Sequence, residues 1–253
     1  MAADQKDQKE LWKDRAVRYN NLEWVNNKSR LGKLIEIGEF KESDVVLDVG
    51  TGTGKIACTL APLVKEVHGL DISKDMLDQI DTSNFNNIIL KEGTVSNSGY
   101  SPDFFDKITA RLIFHHILDD KELKDSVSEC HRILKPGGKI VISEGVPPAE
   151  NVKQDFINIF KLKEDRRTFM ESDIKNLLEE AGFKNVKIHM ITQEEMSVNN
   201  WLDNDGTLSE EAKKKIKDLH RFSSEEFKKA YNLKDLGHDM LIDIKVAKVV
   251  GEK

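Results

Sequence analysis

Residues 45–143 alternate between short apolar segments and segments with helical spacing, which constrains the fold more than any other feature. Helices alternating with strands at this pitch are typical of parallel sheets covered on both faces. The sequence therefore predicts a doubly wound α/β domain. The predicted strands are 45–49, 67–70, 88–90, 106–110 and 139–143, and the predicted helices are 54–60, 74–80 after the cap residue Ser73, and 121–134, ended by Pro136-Gly137-Gly138.

Beyond this alternation the pattern is mostly helical. Two further strands, 186–191 and 242–250, and a helix at 172–181 before Gly182 complete the sheet region. No internal repeat is present, so we expect 1–253 to be a single domain whose helical insertions have no separate core. The expected additions are an N-terminal helical flap, 1–38, and two cap insertions, 146–170 (helical over 149–167) and 192–240 (mostly helical).

Composition and charge exclude several classes of protein. The net charge of −6 argues against a nucleic-acid binder, which normally carries a basic surface. No apolar run approaches the roughly 18–20 residues of a membrane span, and the first residues lack the apolar core of a signal peptide. Cys58 and Cys130 are too few for a disulfide framework or a zinc quartet, and we expect no metal site. These features predict a cytoplasmic protein with no integral membrane segment.

The segment VVLDVGTGTGKIA, 45–57, carries the strongest chemical signal. A buried strand turns through Gly50, Gly52 and Gly54 into a helix, which lets the backbone approach a ligand closely. The helix N-terminus offers free N–H groups to an anion. Asp71 follows 17 residues after Gly54, at the end of the second strand, where a carboxylate can accept both hydroxyls of a ribose. A ligand that contains ribose is therefore predicted at the carboxyl ends of the first two strands.

The glycine spacing separates two kinds of ligand. A nicotinamide cofactor is usually bound by G-x-G-x-x-G, whereas this chain has G-x-G-x-G with Asp48 before it. That segment resembles motif I of the class I S-adenosylmethionine-dependent methyltransferases. Further segments resemble later motifs of the same family, and the similarity to its ubiquinone/menaquinone-biosynthesis type covers about 40–145 and, more weakly, 168–191. These segments are HGLDIS (68–73), KEGTV (91–95), FDKITARLIFHHILD (105–119) and HRILKPGGKIVISE (131–144).

The resemblance implies a Rossmann-like methyltransferase fold, a seven-stranded sheet whose last strand is antiparallel. It also implies transfer of a methyl group from S-adenosylmethionine to a small-molecule acceptor, by in-line displacement in a capped pocket. Two alternatives stay open: an NAD-dependent oxidoreductase, and a non-catalytic partner-binding subunit on the same fold.

The resemblance also implies a set of residues that bind the cofactor. Asp48 is expected near the methionine ammonium group or as a brace of the loop, and Ile72 and Met76 either against the adenine or in the core. At position 94 many members of the family have Asp, so the hydroxyl of Thr94 would be a weaker partner for the adenine. The full set is Asp48, Gly50, Gly52, Gly54, Asp71, Ile72, Met76, Gly93, Thr94, Val95 and Arg111.

The catalytic candidates are His115, His116 and Glu144, which follow the fourth and fifth predicted strands. An imidazole titrates near neutral pH and can serve as a general base, although the histidine pair can instead simply pack near the cofactor. Arg166 and Arg167 can hold a carboxylate or phosphate, but charged pairs of this kind are more often solvated.

The insertion 192–240 is long for a link between two neighbouring strands, and long insertions are usually functional. Its apolar residues, Trp201, Leu202, Leu219, Phe222 and Phe227, are expected at the rim of the cleft, with Trp201 near the acceptor. The alternative is that they pair with a second subunit in a homodimer.

Overall fold

The structure, a computed structural model, describes Trp12 and residues 28–253. The first helix in this range, α1, covers Lys28–Gly38. The predicted N-terminal flap over 1–38 thus lies, apart from Trp12 and α1, outside the described residues. In the part of the chain that is described, no helix combines the length and apolarity needed to cross a bilayer.

Eight strands form one sheet: β1 (Val45–Val49), β2 (Glu66–Asp71), β3 (Ile88–Glu92), β4 (Phe105–Arg111), β5 (Leu134–Val146), β6 (Lys184–Ser197), β7 (Lys234–Asp235) and β8 (Met240–Glu252). Their order is β3-β2-β1-β4-β5-β8-β6, and the two-residue β7 pairs with β8. The first five strands in this order, β3-β2-β1-β4-β5, pair in parallel, and β8 is antiparallel to both β5 and β6. This confirms the predicted doubly wound sheet of seven main strands with an antiparallel last strand.

The helices after α1 are α2 (Lys55–Leu60), α3 (Lys74–Leu77), α4 (Asp120–Ile133), α5 (Lys153–Lys161), α6 (Glu171–Glu180), α7 (Val198–Asp203), α8 (Glu210–Arg221) and α9 (Glu225–Ala230). Local sequence explains their starts. Ser73 caps α3 by accepting the N–H of Met76, as predicted, and Asp119 caps α4 by accepting the N–H of Glu122.

Alternating side chains of the sheet face two apolar clusters. Leu47, Ile108 and Ile142 pack with α4 and α6, whereas Val46 and Val141 pack with α1 and α2 on the opposite face. Both cysteines are free, and Cys130, a residue of α4, is buried. Helices on both faces leave the carboxyl ends of β1, β2 and β4 as the accessible edge, where ligands bind in open α/β sheets.

Two boundaries near the sheet differ from the prediction. Strand β5 begins at Leu134, before the Pro-Gly-Gly segment, because Leu134 pairs with Phe105 ahead of a register shift in the β4–β5 ladder. Helix α3 ends at Leu77 rather than at position 80.

The cap segments also differ. Strand β6 runs through 192–197, six residues predicted to belong to a helical insertion, because this edge strand continues its pairing with β8 as far as Ser197. Polar residues in that stretch are compatible with an edge strand whose outer face is exposed. The segment 149–167 begins with a 3₁₀ turn, is α-helical over α5, and then leaves the helix at Leu162.

The two cap segments pack on each other in a third apolar cluster, in contrast to the expectation that they lack a core of their own. Its members include Phe156 of α5, Trp201 and Leu202 of α7, and Phe227 of α9. The reason is that the paired strands β6 and β8 continue past the end of β5 and supply part of the cluster, through Met196, Met240 and Ile242. Two expected members, Leu219 and Phe222, are instead exposed, by 42% and 78%.

Candidate active site

The glycine loop joins β1 to α2 in a conformation that suits glycine. Gly50, Gly52 and Gly54 have φ of 63°, 55° and 75°. The N–H groups of Gly50 and Thr51 both donate to the carbonyl oxygen of Leu70, at 2.8 and 3.1 Å. At Gly50 a Cβ would also lie 2.8 Å from Ile113, so both the conformation and the space require glycine there. The loop is thereby held against the end of β2.

Asp71, at the end of β2, fastens this loop from the other side. Its Oδ2 accepts the N–H of Gly52 at 2.8 Å, and its Oδ1 accepts the N–H of Ser73 at 2.9 Å. Burial raises the pKa of Asp71, although these N–H groups oppose the shift. Each carboxylate oxygen keeps further lone-pair capacity, so the side chain can brace the loop and still accept two hydroxyls. The bracing role was not predicted.

A cavity of about 70 Å³, the glycine-loop cavity, lies beside Asp71. Ile113 and Ile117 line it as well, and sequence reasoning missed both, although they flank the predicted histidine pair. Gly52, Gly54 and Met76 lie outside its lining; the Met76 methyl group is under the loop, 3.3 Å from where a Gly52 Cβ would be. The predicted residues that line the cavity are Gly50, Asp71, Ile72, Gly93, Thr94, Val95 and His116.

Asp48 is buried behind the loop rather than in the cavity lining. Its Oδ2 accepts the hydroxyl of Thr51 at 2.7 Å, and its Oδ1 accepts the hydroxyl of Thr109 at 2.8 Å. Burial raises the pKa of Asp48 to about 6, against the opposing effects of the two hydroxyls and of the positive charge of Arg111. The loop brace, one of the two predicted roles, is present in the structure.

Glu144 has no exposed surface, in contrast to the expectation that it faces the cleft as a base. Its Oε1 accepts the N–H groups of Ile113 and Phe114, at 3.1 and 2.9 Å, and its Oε2 lies 2.6 Å from Nδ1 of His115. Burial raises the pKa of Glu144 to about 7. The carboxyl group is therefore placed to hold the turn after β4 and to orient the His115 ring.

His116 lies where two cavities meet. It lines the glycine-loop cavity and also a second one, the cap cavity, of about 130 Å³ between the sheet edge and the helical cap. Its Nδ1 is buried and has no hydrogen-bond partner among the described residues. Burial first, and then the neighbouring His115, hold the pKa of His116 well below its usual value, so the ring is neutral. Trp12, which also lines both cavities, makes an edge contact with this ring at 4.9 Å.

The lining of the cap cavity includes several aromatic side chains. Phe156 and Phe160 of α5 and Trp201 of α7 line it, together with His115 from the turn after β4. Trp201 thus lines this cavity, and its predicted place near the acceptor stays a prediction. Arg166 lines it too, with a side chain that is only 7% exposed, so this residue is not solvated as the sequence suggested.

One group in the described residues has the composition of a metal site, where none was expected. His115, His116 and Glu164 each offer a ligand atom within 4.8 Å of the others. Glu164, however, already pairs with Lys163 at 3.2 Å and with Arg166 at 3.8 Å. Because these cations compete for the same carboxylate, we assign no metal to this group.

Comparison with known proteins identifies the family. Residues 47–142 match the family model described as "Methyltransferase domain". The uncharacterized methyltransferase YcgJ of Bacillus subtilis (strain 168) is 26% identical over 201 residues, which are 77% of this chain and 78% of YcgJ. The demethylmenaquinone methyltransferase of Staphylococcus haemolyticus (strain JCSC1435) is 31% identical over 178 residues, which are 60% of this chain and 73% of that enzyme. The chain belongs to the S-adenosylmethionine-dependent methyltransferases.

Solved structures show the same fold as this methyltransferase. The crystal structure of YcgJ matches with a TM-score of 0.77 at 22% identity, over 89% of this chain and 98% of YcgJ. Phosphoethanolamine N-methyltransferase 2 of Haemonchus contortus matches with a TM-score of 0.65 at 16% identity, over 92% of this chain and 56% of that protein. The latter structure is a complex with phosphomonomethylethanolamine and S-adenosylhomocysteine.

Proposed function

We propose that this methyltransferase binds S-adenosylmethionine in the glycine-loop cavity and transfers its methyl group to a small molecule in the cap cavity. The observation that carries the proposal is the meeting of the two cavities at His116. When bound, S-adenosylmethionine supplies a methyl group already activated by its sulfonium. The main task of the protein is then alignment, and such positioning can supply about 7–11 kcal/mol of the barrier.

The residues of the glycine-loop cavity fit the parts of this cofactor. Asp71 accepts the ribose hydroxyls, because each of its two oxygens accepts one backbone N–H and keeps a free lone pair. Gly50 lines the cavity with its backbone, and the place of its missing side chain is taken by Ile113. Ile72 provides an apolar contact for the adenine, and Thr94 and Val95 lie where its polar edge would be bound.

The predicted cofactor residues outside the lining have supporting roles. Asp48 places a buried carboxyl group beneath the loop, where the positive charges of the cofactor would stabilise its ionised form. Arg111 acts on Asp48 electrostatically from the end of β4. Met76 supports the loop at Gly52, and Gly54 begins α2.

The histidines are the proposed groups for handling the acceptor's proton. His116 has a neutral ring with an available nitrogen at the junction of the cavities, which suits a base or a hydrogen-bond acceptor. Glu144 acts as a positioning residue through His115. The acceptor atom would supply the electron pair for the new bond to the methyl carbon, the carbon–sulfur bond would break with its electrons on S-adenosylhomocysteine, and any proton released from the acceptor would pass to such a base.

The test is calorimetry with S-adenosylhomocysteine and, separately, NADH. We expect binding of S-adenosylhomocysteine and none of NADH, since the glycine spacing and the relatives favour the methyltransferase over a nicotinamide oxidoreductase. Binding of NADH alone would contradict the proposal, and binding of neither would favour a non-catalytic, partner-binding subunit.

We also propose a cytoplasmic location and no nucleic-acid partner, as composition suggests. Whether the protein forms a homodimer can be tested by light scattering.

A further inference from the structure

Arg166 is the most weakly bonded charge in the cap cavity. Its side chain is only 7% exposed, yet its Nη2 has no hydrogen-bond partner among the described residues. Nε reaches only the carbonyl oxygen of Arg167, at 3.5 Å, and Nη1 lies 3.8 Å from Glu164. A charge removed from water normally needs close partners to offset its desolvation. The guanidinium therefore has hydrogen-bonding capacity that the described residues leave unused.

The neighbouring charged residues indicate the sign of the charge on the ligand group that would contact Arg166. The two carboxylates of the cavity, Glu164 and Asp205, each pair with Lys163, at 3.2 and 2.6 Å. A cationic ligand would face Arg166 and find these acids already engaged. An anionic oxygen would instead give Nη2 a short, charge-assisted hydrogen bond.

The shape of the cavity indicates the rest of the ligand. The Arg166 guanidinium lies 4.3 Å from the centre of the Phe160 ring, and Phe156 and Trp201 line the cavity beside it. The volume of about 130 Å³ is close to that of an engineered apolar cavity that holds benzene. One planar ring or a molecule of similar size fits this space.

We propose that the acceptor is a compact, planar, largely apolar molecule with an anionic oxygen, and that Arg166 binds this oxygen and determines specificity for it. The inference rests on the proposed function, because it assigns the occupant of the cap cavity. His116, whose Nδ1 is also buried and has no hydrogen-bond partner within the described part of the chain, lines the same cavity and provides a second polar contact next to the glycine-loop cavity.

The test uses benzoate and its neutral analogue benzamide as probes of protein saturated with S-adenosylhomocysteine. Calorimetry should show that benzoate binds at least about tenfold more tightly, the range for a hydrogen bond to a charged group. In Arg166→Gln the preference should fall to less than about threefold. The matched control is Arg221→Gln, which removes an exposed guanidinium paired with Asp235 on the same cap and should keep the wild-type preference. 4-Nitrophenolate is a second anionic probe. If it binds more tightly than benzoate, the anionic oxygen of the acceptor is assigned as a phenolate or enolate. If benzoate binds more tightly, the oxygen is assigned to a carboxylate.

Equal binding of benzoate and benzamide to the wild-type protein, or no binding of benzoate at millimolar concentration, would overturn the inference. A preference that persists in folded Arg166→Gln would overturn it as well. If Arg166→Gln fails to fold, the comparison in the wild-type protein and in Arg166→Lys decides the question. Binding of S-adenosylhomocysteine to the wild-type protein is measured in parallel. If the wild-type protein does not bind it, the proposed function is refuted. If the wild-type protein binds it but shows no preference for benzoate, this inference alone is refuted.

Discussion

Replacing Asp48 by Asn should stabilise the cofactor-free protein and weaken cofactor binding at the same time. Burial raises the pKa of Asp48 from the ordinary 3.8 to about 6, which corresponds to about 3 kcal/mol. A carboxyl group with a raised pKa contributes its full stability below pH 3.8 and loses that contribution as the pH rises through about 6. The Asn side chain is neutral throughout and can keep hydrogen bonds to the hydroxyls of Thr51 and Thr109.

The measurement is thermal and denaturant unfolding of both proteins from pH 3.5 to 8 without cofactor. The variant should match the wild type at the acid end and gain up to about 3 kcal/mol above pH 6, or roughly 6–12 °C in melting temperature for a chain of this size. Asp106→Asn is the control with the opposite sign. Burial opposes ionisation at Asp106 too, but hydrogen bonds from Lys135 and from the N–H of Val45 outweigh it and lower the pKa. Loss of the Asp106 carboxylate in this control should therefore destabilise the protein at neutral pH.

Asp48→Asn should also bind S-adenosylmethionine at least about tenfold more weakly, because the negative charge beneath the loop that would attract the positive charges of the cofactor is lost. Wild-type affinity should likewise fall as the pH drops below about 6, where Asp48 becomes protonated. Stability curves of variant and wild type that stay parallel from pH 4 to 7 would refute the buried-charge reasoning. Unchanged affinity would refute the cofactor role and leave Asp48 as a loop brace only.

Three further outcomes are expected. Asp71→Asn should reduce S-adenosylhomocysteine affinity at least about tenfold, since an amide nitrogen cannot accept the N–H of Gly52 or Ser73; unchanged calorimetry in a folded variant would contradict this. Glu144→Gln should keep cofactor affinity but lower kcat and alter its pH profile, because the ring of His115 loses the carboxylate that orients it; a profile identical to wild type would exclude the positioning role. Hydrogen exchange over 198–233 should slow when S-adenosylhomocysteine and an acceptor are both bound, whereas unchanged rates would exclude closure of the cap.

The parts of the fold that sequence reasoning predicted well have local causes. Strand β1 was predicted at its observed bounds because a buried apolar run ends at a glycine turn, and Ser73 was predicted as a cap because its side chain bonds a backbone N–H three residues away. Strand β6 was predicted too short because five of its last six residues, 192–197, are polar, the exception being Met196. Their extended conformation comes from pairing with β8, which is distant in sequence.

In the candidate site too, features with a local cause were predicted, and features that depend on distant segments of the chain were not. The glycine loop and Asp71 could be predicted because their chemistry depends on a strand–turn–helix that the sequence itself specifies. Glu144 was predicted as a candidate base facing the cleft because nothing local reveals that it receives two N–H groups from a turn about 30 residues earlier. Arg166 was expected in solvent for a similar reason: the cap that buries it is assembled from two separate segments of the chain.

The most direct test of the central claim is methyl transfer itself. The protein is incubated with S-adenosylmethionine labelled in its methyl group and a small-molecule metabolite extract, and the labelled products are identified by mass spectrometry. A labelled product of low molecular mass is predicted, formed by the wild-type protein and strongly reduced with Asp71→Asn. Label found only in nucleic acid or protein fractions, or in no fraction while S-adenosylhomocysteine binds normally, would contradict small-molecule methyl transfer in the cap cavity.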